Sequence, residues 1–211
     1  MVEQWPFKPR VAGSSPAGPS NLLRKIMNIE FYKLAGLLAF VISWFGMLLV
    51  VYSQGNKKSW SISMHAAASK KTIRLLAYLS PISMGLYMIF VVKWVAPTFN
   101  LPLAFIVLNV LADTGYILAA WIPYTEGIRA KIHNILAYGA SLLAMPIPYI
   151  LAISPHIATI PRLINAVAFL MMFSILGFLY WYKPAWNHYL HYQIIYFLAF
   201  NVSLLAAGYL S

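Results

Sequence analysis

Apolar segments long enough to cross a bilayer recur six times along the chain, separated by short polar connections. They lie at residues 32–52, 73–96, 101–122, 132–153, 162–182 and 188–210. A helix needs about 20 apolar residues to span the hydrocarbon core of a membrane. No segment shows the strand-like alternation of a membrane barrel, and helices satisfy their backbone hydrogen bonds internally, as lipid requires. The sequence therefore predicts an all-α fold, a polytopic transmembrane bundle of six helices.

The amino-acid composition supports a membrane protein and indicates which kinds of molecule it contacts. The chain is 62% hydrophobic and 9% charged, whereas soluble proteins are about 25% charged. It contains no cysteine, so thiolate metal sites and cysteine nucleophiles are excluded. A net charge of +11 would suggest nucleic acid for a soluble protein. Here the basic residues flank apolar segments, so membrane lipids are the predicted partners. Nucleic acid is not expected to bind.

Residues 1–26 differ from the rest because Pro, Gly and Ser dominate and no apolar period appears. Such a composition predicts a disordered tail. The run RVAGSSPAGPSN resembles a tRNA gene read as protein. We therefore expect that the native start is Met27 and that the six-helix domain comprises residues 27–211.

Basic residues are distributed unequally between the two sides of the predicted bundle. Eight follow the first, third and fifth segments: Lys57, Lys58, Lys70, Lys71, Arg74, Arg129, Lys131 and Lys183. The opposite side carries three if the chain starts at Met27: Lys33, Lys93 and Arg162. Because cytoplasmic connections are enriched in Lys and Arg, we expect a multi-pass protein of the cell (inner) membrane with these three connections in the cytoplasm and both termini outside.

Asp113 is the only carboxylate inside an apolar segment. Intramembrane acids are costly and usually face a bundle interior or a water-filled cavity. Asn109, Asp113 and Tyr116 follow an i, i+4, i+7 pattern and so share one face of a helix. Ser141 and Asn201 lie at a comparable depth in other segments.

These five residues predict a polar cavity, open toward the cytoplasm, with Asp113 and Asn109 at its floor. The leading hypothesis is a non-enzymatic binding or transport module for a small amphiphile, a lipid or a proton-linked solute, with no cofactor. The structural alternative is that the polar groups only join helices together. The sequence predicts neither the ligand nor the oligomeric state.

A second hypothesis is a zinc-dependent intramembrane hydrolase. His133, His188, His191 and Glu126 lie on the predicted cytoplasmic side, and Asp113 is a further candidate ligand. The residue types are similar to those of seven-span hydrolases of the alkaline ceramidase and adiponectin-receptor type, which bind zinc. Asp113, however, lies roughly 13 Å below the end of its segment at 1.5 Å per residue, whereas His133 and His188 lie at the predicted surface.

Three short motifs carry a resemblance to a known group of proteins. They are SWSISMHAAAS after the first segment, AAWIPYTEG at the end of the third, and IHNILAYGAS at the start of the fourth. In these features the chain, from about Met27 onward, resembles small six-span bacterial and archaeal membrane proteins catalogued as domain of unknown function 998. The resemblance implies the six-span architecture and no particular chemistry. An acidic residue expected near ISMHA is absent here.

Overall fold

The computed structural model describes the backbone of residues 19–211 and side chains from residue 27 onward. Its helices are α1 (Pro19–Ser53), α2 (Ile62–Ala67), α3 (Lys70–Phe90), α4 (Ala96–Thr98), α5 (Leu103–Trp121), α6 (Ile128–Ala144), α7 (Pro146–Ile153), α8 (Thr159–Trp181) and α9 (Tyr189–Leu210). A π-helical turn, Val91–Val95, joins α3 to α4, and a 3-10 turn, Lys183–His188, leads into α9. No strand occurs between residues 19 and 211.

Six helical stretches are long and apolar enough to cross a membrane. They are Met27–Ser53, Lys70–Thr98, Leu103–Trp121, Ile128–Ile153, Thr159–Trp181 and Lys183–Leu210. Each coincides with one predicted segment, and the ends differ by a few residues. The prediction of an all-α bundle with six spans is therefore confirmed.

The predicted tail overlaps the first helix. Residues 1–18, which hold most of that tail, lie outside the described residues. Residues 19–26 are helical rather than disordered, because α1 begins at Pro19. Proline is favoured at the first helical position, and the Leu, Arg and Lys residues after it are good helix formers that extend the span.

Sequential helices pack as hairpins: α1 lies along α3, α5 along α6, and α8 along α9. The first hairpin meets α9 at Phe90, whose ring fits between Gly36 of α1 and Gly208 of α9. A Cβ atom at either glycine would overlap that ring, so these two positions permit the close approach. The indole of Trp94 adds a hydrogen bond to the carbonyl oxygen of Gly208, with an N–O distance of 3.0 Å.

The two ends of the bundle are packed differently. One end, called here the basic end, is formed by connections 54–69, 122–127 and 182–188 between the paired helices. The main hydrophobic core fills the opposite half, where Phe90, Phe105, Ile147, Leu151 and Met172 are fully buried. The larger space between the hairpins lies in the half nearer the basic end.

Connection 54–69 is ordered by its own polar contacts and forms the short helix α2. Ser61 caps α2 by accepting a hydrogen bond from the backbone N–H of Met64, with an N–O distance of 3.0 Å. His65 is fully buried: its Nδ1 donates to the carbonyl of Ser61, and its Nε2 accepts from the N–H of Lys57. Both imidazole nitrogens therefore serve to fold this connection.

Candidate functional site: a cavity at the basic end

A cavity of about 710 Å³ lies between the six spanning helices in the half nearer the basic end. Its wall is built from the C-terminal halves of α1, α5 and α8, from residues 76–87 of α3, 133–142 of α6 and 189–201 of α9, and from α2. Small-molecule sites usually have volumes of about 300–1,000 Å³. The space is therefore large enough for a small amphiphile.

The wall is mostly apolar, and His133 is its one histidine among the described residues. None of the described residues that line it is Lys, Arg, Asp or Glu. Seven of its polar side chains are tyrosines: Tyr87, Tyr116, Tyr138, Tyr180, Tyr189, Tyr192 and Tyr196. Tyrosine combines an apolar ring with a hydroxyl that can donate and accept, so this wall suits a ligand with an apolar body and a neutral polar group.

Three helices are joined in the wall by Ser141. The hydroxyl of Tyr196 on α9 donates to the carbonyl oxygen of Ser141 on α6, at 2.5 Å. The Ser141 hydroxyl donates to the carbonyl of Ala137, at 2.9 Å, and lies 3.2 Å from the hydroxyl of Tyr116 on α5. Since the serine proton is already used, Tyr116 is the donor in that pair. Both tyrosine oxygens keep lone pairs that can accept from a ligand.

Gln193 connects α2 to the wall. Its Oε1 accepts from the backbone N–H of Ile62, with an N–O distance of 2.8 Å, and both residues line the cavity. The N–H of Leu190 donates to the carbonyl of Lys58, at 3.0 Å, one turn closer to the basic end. Connection 54–69 is thereby held against the start of α9 at the edge of the cavity.

The predicted cavity residues fall into two groups. Tyr116, Ser141 and Asn201 line the cavity. Asp113 and Asn109 are buried but are not among the lining residues. They lie about one and two helical turns deeper than Tyr116, which takes the lining position on their helix. The predicted stripe does face the bundle interior, but Asp113 and Asn109 lie below the floor of the cavity rather than at it.

The histidines of the metal hypothesis are separated or already bonded. His133 is buried, and its Nδ1 lies 2.7 Å from the carbonyl oxygen of Ile122 and 2.9 Å from that of Ala119. His188 and His191 are exposed, with ring centroids 5.9 Å apart. Within the described residues, no three His, Asp or Glu side chains are placed to hold a metal ion. The structure therefore does not bring the candidate zinc ligands together. These are His133, His188, His191, Glu126 and Asp113.

One buried polar pair was missed by the sequence analysis. Asn165 on α8 is fully buried; its amide nitrogen donates to the carbonyl of Pro161, and its Oδ1 accepts from the hydroxyl of Ser203 on α9, at 2.5 Å. An asparagine within an apolar segment indicates a buried polar contact, but the sequence does not identify its partner, which lies 38 residues away. The pair joins α8 to α9 in the half of the bundle away from the cavity.

Fold and site together define a polytopic helical membrane protein with a mostly apolar internal cavity. No family model, curated protein or solved structure matches the chain. The resemblance to the group with domain of unknown function 998 stays a prediction.

Proposed function

We propose that this protein binds or transports a small uncharged amphiphile, which occupies the cavity at the basic end. The observation that carries the proposal is the combination of a large cavity with a wall that is mostly apolar, rich in tyrosine and, among the described residues, without Lys, Arg, Asp or Glu. A buried charged group without a partner is strongly disfavoured. A neutral headgroup can instead bond to hydroxyls such as those of Tyr116 and Tyr196.

We further propose that the basic end faces the cytoplasm, because within residues 27–211 it carries eight Lys and Arg residues and the opposite side carries three. The ligand would then enter and leave from the cytoplasmic leaflet or the cytoplasm. Apolar side chains in the wall would cover its body, and the tyrosine hydroxyls would orient its polar group. This arrangement supports binding or transfer of a ligand.

The test places a large apolar side chain in the cavity and leaves the charge of the protein unchanged. Ala120 lines the cavity on α5, whereas Ala104 on the same helix is exposed toward lipid. Wild-type protein, Ala120→Phe and Ala104→Phe are purified in parallel, and their bound lipids are identified by native mass spectrometry. We expect a neutral amphiphile bound at one per chain in the wild type and Ala104→Phe, and its loss in Ala120→Phe. Equal lipid profiles in all three proteins would contradict the proposal.

A further inference from the structure

Polar atoms without hydrogen-bond partners are concentrated below the floor of the cavity. Among the described residues they include both carboxyl oxygens of Asp113, Oδ1 of Asn109 and the hydroxyl oxygen of Tyr87. Asp113 is 2% exposed, Asn109 0% and Tyr87 4%. Buried polar groups are nearly always hydrogen-bonded, and each exception requires an explanation.

These atoms belong to one region. Asn109 and Asp113 are at i and i+4 on α5, so their Cβ atoms are about 5–6 Å apart. The amide nitrogen of Asn109 donates to the carbonyl of Phe105, at 2.7 Å, which leaves Oδ1 as the free end of that side chain. Tyr87 comes from α3, which packs on α5, and its hydroxyl lies within electrostatic range of the Asp113 carboxyl.

Among the described residues, no Lys or Arg side chain is buried or paired with an ionised Asp113. The buried polar residues of the described chain include no Lys or Arg. The titratable groups near Asp113 are Tyr87 on α3 and Tyr116 on α5. Neither becomes a cation, so a carboxylate here would have lost its hydration without gaining a counter-ion, which is far costlier than burying a neutral acid.

A neutral Asp113 also balances donors and acceptors. Its O–H and that of Tyr87 are two donors, while Oδ1 of Asn109 and the carbonyl oxygen of Asp113 are acceptors. None of these groups has a hydrogen-bond partner among the described residues. A bridging water with two to four polar neighbours is a usual solution for such a set.

We propose that Asp113, Asn109 and Tyr87 form a proton-binding site, in which the neutral carboxyl is hydrogen-bonded through ordered water. The site is distinct from the amphiphile cavity and does not depend on it. Tyr87 connects the two, because the same side chain lines the cavity and its hydroxyl oxygen is one of the buried atoms without a partner. The protein therefore has a place to hold a proton inside the membrane, next to the space where a ligand fits.

The experiment uses the fact that Asp113 is the only aspartate in the chain. Full-length protein is made by cell-free synthesis with aspartate labelled with ¹³C in its side-chain carboxyl, and infrared spectra are recorded at pH 7. We expect the isotope shift in the C=O stretching band of a protonated acid, and a further shift of that band in D₂O. An isotope shift found only in the carboxylate bands would overturn the proposal and would indicate a bound cation instead. Because the label reports on wild-type protein, no variant needs to fold for this result.

Two variants test whether the three residues share the site. Tyr87→Phe and Asn109→Leu each remove one hydrogen-bonding group and should move the C=O band while the acid stays protonated. Glu126→Gln is the matched control, because Glu126 is exposed in connection 122–127, and it should leave the band unchanged. A band that is unmoved in both Tyr87→Phe and Asn109→Leu would mean that Asp113 does not share a site with them.

Discussion

His133, near the start of α6, donates a hydrogen bond from Nδ1 to the carbonyl oxygen of Ile122, 2.7 Å away, just beyond the end of α5. The carbonyl of Ala119 lies 2.9 Å from the same nitrogen. Carbonyl oxygens only accept, so Nδ1 carries the proton. The last carbonyl groups of a helix have no partner within it. His133 therefore caps α5 and fixes the turn between α5 and α6 at the basic end.

This cap predicts a stability effect for His133→Ala. The substitution removes the hydrogen bonds to the buried carbonyl of Ala119 and the partly buried carbonyl of Ile122, which should cost about 1–3 kcal/mol. Thermal unfolding in detergent, followed by circular dichroism, measures it. His188→Ala is the matched control, because His188 is exposed at the same end, and its unfolding midpoint should not change. Stoichiometric zinc that is lost in both His188→Ala and His191→Ala would instead revive the hydrolase hypothesis.

The sequence predicts where His133 lies along its segment but not which carbonyl groups it bonds to. The same distinction between position along the chain and contacts with other helices holds for the rest of the fold. Span number and approximate bounds follow from hydropathy, because the thickness of the bilayer fixes how many apolar residues a helix needs. The polar stripe Asn109, Asp113 and Tyr116 follows from helical periodicity. Neither rule specifies which residue of another helix lies opposite.

Features that depend on remote partners could therefore not be predicted. The cavity lies between the three hairpins, and Phe90 packs between Gly36 and Gly208 in the core of the opposite half. The π-helical turn Val91–Val95 continues from this same packed region. Asp113 is buried and is not among the residues that line the cavity, and neither hydropathy nor helical periodicity specifies that depth.

The pair of Asn165 and Ser203 predicts a strong coupling between α8 and α9. Ser203→Ala should lower stability by about 1–3 kcal/mol, because the Oδ1 of Asn165 is left buried without a donor. The double variant Asn165→Leu with Ser203→Ala removes both polar groups, and it should cost less than the sum of the single variants. A double-mutant cycle measures the coupling energy. Additive effects would show that the bond contributes nothing.

The proposed orientation is tested by labelling, since the chain has no cysteine of its own. Ser59 is exposed in connection 54–69, and Thr98 is exposed at the opposite end. In intact cells, a membrane-impermeant maleimide should label Thr98→Cys and leave Ser59→Cys unmodified until the cells are opened. Labelling of Ser59→Cys alone in intact cells would reverse the orientation.

Asp113 gives the sharpest prediction about stability. Asp113→Leu removes a buried carboxyl that makes no hydrogen bond within the described residues, so it should raise stability by about 1–3 kcal/mol. Asp113→Asn keeps the size of the side chain and a donor, so its unfolding midpoint should stay close to that of the wild type. Asn165→Leu is the contrasting control, because Asn165 is equally buried but fully bonded, and it should be destabilised.

The sign of the stability change in Asp113→Leu distinguishes the two roles of this acid, which are proton binding and joining helices. A residue kept for proton binding imposes a cost on the fold, and removing it relieves that cost. A residue that only joins helices contributes favourably, although interhelical hydrogen bonds in membranes average only about 0.6 kcal/mol. A clear drop in the unfolding midpoint of Asp113→Leu, with Asp113→Asn unchanged, would therefore assign Asp113 a purely structural role. The same result for Asn109→Leu would extend that role to the whole polar region beneath the cavity.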